Sequence, residues 1–278
     1  MPHTVTDDGV RLYYEDTGNG YPIVFVHEFA GDYRSWELQV RRFSRKYRCI
    51  TFNARGYPPS DAPTEDAMYS QDRARDDIRV VLDHLDIASA HIVGHSMGAF
   101  AALHFGLRYG ERARALVLAG CGYGAKPSER EEFQGLAHSI AQMFRSEGIE
   151  RAARTYALFP GREQFKAKDP RGWAQFAAWL SEHSAEGLAL TMINVQAKRP
   201  SLWDLADALA ALRAPTLIIT GDEDQPCLEP GLFMKRTIPS AGLAVIPRSG
   251  HTINSEEPDA FNRAVDEFLS AVELDRWA

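Results

Sequence analysis

The stretch "HIVGHSMGAFAALHFGLRYG", residues 91–110, changes from one secondary-structure pattern to another within a few residues. "HIVGHS" opens as a short apolar run of the kind found in strands buried on both faces. "MGAFAALHFGLRYG" then follows as a helix, with Gly110 expected to stop it. Where the two meet, "GHSMG", Gly94 to Gly98, fits G-x-S-x-G in the strand–turn–helix setting that the motif requires. A turn so sharp demands small residues on either side of the serine, hence the glycines. It lifts the Ser96 hydroxyl clear of the sheet edge, at a helix N-terminus whose free backbone N–H groups face the reacting centre.

Working outward, short apolar strands alternate with amphipathic helices. "RLYYED" and "YPIVFVH" flank Thr17-Gly18-Asn19-Gly20 and read as a hairpin with a glycine-rich turn. Trp36, Val40, Phe43 and Tyr47 recur at helical spacing, "CITFN" is a strand, and "ARGYPPSDAP" is a loop. Ile78, Val81, Leu82 and Leu85 mark one face of a helix starting near Ser70. Downstream, "ALVLAG", "PTLIITG" and "LAVIP" are further strands, and a last helix with Pro258 in its first turn carries Phe261, Val265, Phe268, Leu269 and Val272. The fold class is α/β: a mostly parallel central sheet with helices on both faces.

The alternation lapses between about Gly122 and Ala206, a region of helical patterns rich in large aromatics such as Phe144, Tyr156, Trp173 and Trp179. The expected organisation is a core of residues 1–121 and 207–278 with a helical cap at 122–206, seated over the carboxyl edge of the sheet where open α/β folds hold ligands.

Bulk properties narrow the function. The 278 residues carry 31 Lys and Arg against 38 Asp and Glu, a formal charge of −7 with no basic stripe, which argues against nucleic acid as a partner. No apolar run is long enough to span a bilayer, and "MPHTVTDDGV" lacks a signal-peptide pattern. Three scattered cysteines, Cys49, Cys121 and Cys227, form no metal-type cluster in sequence and suit reduced, buried thiols in the cytoplasm. Neither a metal nor a cofactor is expected. The expected partner is a small-molecule substrate, and the oligomeric state is left open, a homodimer included.

A serine hydroxyl needs a base, and the base an orienting acid. Of nine histidines, His251 stands out, on a loop after "VIPRSG" with Gly250 easing its approach. His91 and His95 are four apart, but on a strand and its turn, which is unsuited to a metal pair. For the acid, "CGYGAK" after "ALVLAG" has no carboxylate, whereas "TGDEDQP" offers Asp222, Glu223 and Asp224. Spacing alone does not separate Asp222 from Asp224. The order serine, acid, histidine is retained either way.

Along nearly its whole length the chain resembles the α/β-hydrolase superfamily, through "VFVHEFAG", "FNARGYPPSD", "GHSMGAFAAL", "LIITGDEDQP" and "RSGHTINSEEPDAFN" in that order. The nearest likeness is to capped esterases, carbon–carbon bond hydrolases and lactonases. The family's acid loop reads G-x-x-D, which implies Asp224. "HEFAG" resembles the H-G-x oxyanion loop, implying that the backbone N–H groups of Phe29 and Met97 hold the oxyanion.

Two departures stand out. Glu28 occupies a position that is usually glycine: its carboxylate is either tied to a polar neighbour or lines the pocket, where as a charge it would oppose an oxyanion. Asn53 and Tyr57-Pro58-Pro59 also depart from the family pattern. Candidate pocket residues are Glu28, His27, His95, Tyr123, Trp179 and His183. The resemblance implies a serine hydrolase forming an acyl-enzyme on Ser96 from a small, partly apolar ester, lactone or carbon–carbon bond substrate. A serine in place of aspartate argues against dehalogenase and epoxide hydrolase chemistry. The alternatives are a cofactor-free oxygenase or lyase using the His251–Asp224 base, and a ligand-binding receptor on this fold.

Overall fold

The computed structural model describes residues 2–277. Eight strands form one sheet in the order β1-β2-β4-β3-β5-β6-β7-β8. They are β1 (His3–Val5), β2 (Arg11–Thr17), β3 (Pro22–Val26), β4 (Arg48–Phe52), β5 (Ala90–His95), β6 (Ala113–Ala119), β7 (Thr216–Gly221) and β8 (Ala241–Ile246). β1 and β2 are antiparallel to their partners, and every pair from β4 to β8 is parallel.

The expected β2–β3 hairpin does not exist. β2 pairs with β4, β3 lies on the far side of β4, and the hairpin is the unanticipated one between β1 and β2. The glycines of the Thr17–Gly20 connection serve a different purpose, because the chain here crosses over the segment leading into β4. A Cβ on Gly18 would lie 2.5 Å from the Ser44 and Tyr47 carbonyl oxygens, and one on Gly20 would lie 2.3 Å from that of Lys46. Both have positive φ, which glycine alone adopts without strain.

Alternate residues of the parallel strands point into opposite cores, which is why the strands read as unbroken apolar runs. Val24, Val26, Ile50, Phe52, Ile92, Leu116, Leu118 and Ile218 face one layer. It is built from α2 (Gln71–His84) and α3 (Met97–Arg108), together with later helices introduced below. Ser70 caps α2 by accepting the Arg73 N–H, close to the expected start. Ile23, Phe25, Val93, Val117, Leu217 and Ile219 face the other layer, which holds Trp36 and Phe43 of the α1 (Glu37–Phe43) region. The expected stop of α3 needs adjustment: the helix ends at Arg108, and Gly110 opens a 3-10 turn without positive φ.

Between β6 and β7 the described residues contain helices and no strand: α4 (Arg130–Glu147), α5 (Ile149–Tyr156), α6 (Glu163–Lys168), α7 (Pro170–Leu180), α8 (Ala185–Leu190) running into a π-helical turn (Thr191–Gln196), and α9 (Ala206–Ala211). This excursion has its own apolar cluster, in which Phe144, Phe165, Phe176 and Leu188 are joined by Phe29, Tyr57 and Met97 of the core. The excursion therefore packs against the loops at the carboxyl ends of β3, β4 and β5. The last three helices are α10 (Gln225–Thr237), α11 (Ile253–Glu256) and α12 (Pro258–Glu273), with Pro258 in the first turn of α12 as expected. Among the described residues no helix is long and apolar enough to cross a membrane.

Candidate active site

Ser96 sits between β5 and α3 with φ 52° and ψ −112°, a strained conformation for a side-chain-bearing residue. The neighbouring glycines are obligatory. A Cβ on Gly94 would fall 2.2 Å from the Gly98 carbonyl oxygen, and one on Gly98 would fall 2.1 Å from that of Val26. The Ser96 N–H donates to the Ala119 carbonyl at 2.8 Å, so β6 helps to hold the strained turn.

His251 lies within reach of both expected partners. Its Nδ1–H donates to Asp224 Oδ2 at 2.8 Å, which leaves Nε2 to accept the Ser96 hydroxyl at 2.8 Å. Of the three acidic residues after β7, Asp224 is the one on the histidine, whereas Asp222 accepts the Ser249 N–H. Burial alone would raise the Asp224 carboxyl, but His251 holds it below the ordinary range. Burial likewise pushes His251 down, and the Asp224 carboxylate overrides it, leaving the imidazole above its usual value.

The histidine loop is fastened on every side. The His251 N–H donates to the Gly161 carbonyl at 2.9 Å, and its own carbonyl accepts His95 Nε2–H at 2.7 Å. Glu256 accepts the Gly250 N–H at 2.7 Å, the Thr252 N–H at 3.0 Å and the Thr252 hydroxyl at 2.9 Å, clasping both neighbours of the histidine. His95 thus supports the loop that carries His251. Burial lowers it to about 4, which fits a neutral ring. Neither Glu256 nor Gly161 was anticipated: an acid in "NSEEP" and a glycine in "FPGRE" look like ordinary surface residues.

The loop after β3 is secured in the same manner. His27 donates Nδ1–H to the Glu28 carbonyl at 2.7 Å and accepts the Ala54 N–H on Nε2 at 3.0 Å. Asn53, one of the departures from the family pattern, accepts the Tyr33 N–H and donates to the Tyr57 and Pro58 carbonyls. Aspartate has no donor for the last two bonds. Met97 is the first residue of α3, and among the described residues neither its N–H nor that of Phe29 is taken by a protein acceptor. The Phe29 ring meets Tyr156 at 5.3 Å and Phe144 at 6.1 Å, so apolar groups of the excursion lie directly above this loop.

Glu28 is buried and paired. Arg162, just before α6, grips it with Nη2–Oε2 at 2.7 Å and Nη1–Oε1 at 3.1 Å, each side chain 4% exposed. Against burial, Arg162 holds the Glu28 carboxyl down to about 2. Nothing in "FPGREQF" marks Arg162 as the partner of a residue 134 positions away.

The remaining pocket candidates disperse. Tyr123 packs edge-on against His251 with centroids 4.9 Å apart. His183 packs against Tyr57 and lies 3.8 Å from the Asp32 carboxylate. Trp179 lies under the Arg34 guanidinium and lines a cleft of about 510 Å³ that reaches Glu28 but is lined by neither Ser96 nor His251. All three cysteines are buried, and Cys227 places its sulfur 4.0 Å from His251 Nδ1. Ligand atoms of Asp224, Cys227 and His251 lie within 4.8 Å of one another, a grouping not apparent in the sequence. As a metal site it is poor: the Nδ1–Oδ2 bond already uses two of the donors, and burial pushes the thiol well above its ordinary value.

Known proteins similar to this chain in sequence or fold are numerous. The chain is 29% identical to a 2-hydroxy-6-oxo-6-phenylhexa-2,4-dienoate hydrolase of Burkholderia cepacia, over 96% of this chain and 95% of that one. It is 28% identical to a 3-oxoadipate enol-lactonase of Acinetobacter baylyi, over 95% and 94%. Among solved structures, a thermophilic esterase from Thermogutta terrifontis superposes with a TM-score of 0.85 at 27% identity, covering 98% of this chain and 99% of that chain. The sequence pattern of the alpha/beta hydrolase family matches residues 23–264, and the chain belongs to that family.

Proposed function

We propose that the protein is a serine hydrolase that cleaves a small, partly apolar ester, lactone or carbon–carbon bond substrate through an acyl-enzyme on Ser96. The observation that carries this reading is the continuous hydrogen-bonded chain from Asp224 through His251 to Ser96, with both links at 2.8 Å. His251 takes the hydroxyl proton as Ser96 attacks the carbonyl. Asp224 keeps the imidazole in the Nδ1–H tautomer and stabilises the imidazolium. The Phe29 and Met97 amides receive the developing oxyanion. His251 then returns the proton to the leaving group, and water activated by the same histidine releases the acyl group.

The substrate class rests on two supports. The relatives are named as a hydrolase of a 2-hydroxy-6-oxo-dienoate and as an enol-lactonase, and both of those substrates carry a carbonyl group. The excursion, read as a cap, places Phe144 and Tyr156 against Phe29 beside the predicted oxyanion donor, an apolar ceiling for a small acyl group.

A panel of p-nitrophenyl esters, lactones and vinylogous diketones, run on the wild type and Ser96→Ala, tests the reading. Ser96→Ala is expected to lose roughly ten-thousand-fold or more in kcat while its unfolding transition is kept. Wild-type turnover in that variant would remove Ser96 from the mechanism. Failure of a fluorophosphonate to label Ser96, with oxygen consumed on a candidate substrate, would favour oxygenase chemistry instead.

A further inference from the structure

Among the contacts between the excursion and the core, those of one short segment, Gly161 to Lys168, fall on loops that carry the proposed catalytic groups. The Gly161 carbonyl holds the His251 N–H. Gln164 donates to Glu223, next to Asp224, and Lys168 donates to the Arg248 carbonyl and to Glu257. These last contacts are exposed and therefore weak. The fourth, Arg162 on Glu28, is a buried two-point fork of the kind that fixes distance and plane together. Arg162 also lies over the Phe176 ring at 4.7 Å and the Tyr156 ring at 5.4 Å, and Tyr156 is the ring that packs on Phe29.

His251 is faced by Asp224 and Cys227 from the start of α10, His95 from the end of β5, Tyr123 from the loop after β6, Glu28 from the loop after β3, and Arg162. Burial keeps His95, Cys227 and Tyr123 neutral at ordinary pH. The charges around the imidazole are therefore the carboxylates of Asp224 and Glu28 and the guanidinium of Arg162. Asp224 is bonded to the histidine, so Arg162 is what offsets Glu28.

We propose that Glu28 and Arg162 are positioning residues for the Ser96 centre: their fork locks the loop bearing the Phe29 amide to the excursion and cancels the Glu28 charge beside His251 and the oxyanion. The inference rests on the serine-hydrolase reading and explains how a carboxylate is tolerated one residue from an oxyanion donor. Without Arg162, the bare carboxylate would stabilise the imidazolium in the resting enzyme and oppose the oxyanion. Without Glu28, the bare guanidinium would do the reverse.

The experiment compares the wild type, Arg162→Gln, Glu28→Gln and the double variant by the rate of fluorophosphonate labelling of Ser96 and the pH profile of kcat/KM, with folding checked by circular dichroism. Arg162→Gln is expected to slow labelling by about 100-fold and to move the acid limb of the profile to higher pH. Glu28→Gln moves that limb to lower pH, and the double variant returns it to near the wild-type position. Opposite displacements that cancel are not produced by a merely structural contact. Acid limbs that coincide in all four proteins would overturn the proposal. If Arg162→Gln fails to fold, Arg162→Lys keeps the charge without the fork: labelling slows by roughly tenfold with the limb unmoved, and a wild-type labelling rate overturns the proposal. An unlabelled wild type would instead defeat the serine-hydrolase reading and the positioning role with it.

Discussion

Arg162 and Arg199, both in the helical excursion, are buried to similar degrees, 4% and 2% exposed, yet they are held there by different physics. Arg162 faces a carboxylate in a two-point fork, and although burial opposes its charge, Glu28 raises its pKa above the usual value. Arg199 has no carboxylate among its contacts in the described residues. It donates to the Gln196 side chain at 2.7 Å and to the Tyr123 carbonyl, and its guanidinium lies 3.7 Å from the centre of the Phe100 ring. Burial, with no carboxylate to oppose it, lowers it to about 10. One arginine completes a charge pair next to the proposed catalytic centre, and the other is a flat, hydrogen-bonded plate that fills space over α3. Burial alone therefore says little about what a charged side chain does. The partner decides it.

The largest effect that this contrast predicts belongs to Arg162. Arg162→Met would strand the Glu28 carboxylate in the interior and cost about 3–5 kcal/mol of stability, read from urea unfolding. Glu28→Met/Arg162→Met should recover most of that loss, because well-packed apolar replacements of a buried pair are often neutral. A double variant as unstable as the single one would mean that the loss comes from packing against Tyr156 and Phe176, and the distinction between the two arginines would collapse.

The same contrast separates what the sequence discloses from what it hides. The Ser96 turn was legible because the motif is local in sequence: Gly94 is dictated by the Gly98 backbone within the same turn, although Gly98 itself answers to the Val26 carbonyl of β3. The parallel core was legible because β3 to β7 are buried on both faces along most of their length. Asp224 was separated from Asp222 by family likeness, and the hydrogen bond to His251 agrees with that choice. Glu28 was conspicuous, but Arg162, 134 residues distant, has no local signature. Gly18 and Gly20 misled because a glycine-rich turn and a glycine-lined crossing look alike in sequence, while only the position of the Ser44–Tyr47 carbonyls distinguishes them. Glu256 was missed because its role depends on the loop conformation that it creates.

Arg199→Met is the intermediate test. It leaves the Tyr123 carbonyl and the Gln196 amide oxygen without a donor but strands no charge, so the expected cost is about 1–3 kcal/mol. Methionine retains part of the contact with Phe100, which limits the packing loss. A cost equal to that of Arg162→Met would show that the missing carboxylate makes no difference. A smaller one sharpens the reading of Arg199 as a space-filling plate.

The smallest effect is also the most selective, because it isolates the Glu28 charge. Its carboxyl titrates near 2 in the folded protein against 4.5 ordinarily. A group whose pKa is depressed by folding stabilises the native state above its unfolded value and loses that contribution as pH falls through the folded one. The pair's contribution is thus complete above pH 4.5 and declines between pH 4.5 and about 2. The difference in unfolding free energy between the wild type and Glu28→Gln should shrink across that window. The difference between the wild type and Arg199→Met should stay level, since no carboxylate contacts Arg199 among the described residues and the guanidinium keeps its proton throughout. Two difference curves, one sloping and one flat, are what distinguish a guanidinium that answers a buried acid from one that does not. Parallel curves would place the acid sensitivity elsewhere, with the Arg55 contacts to Asp77 and Asp8 the next pair to vary.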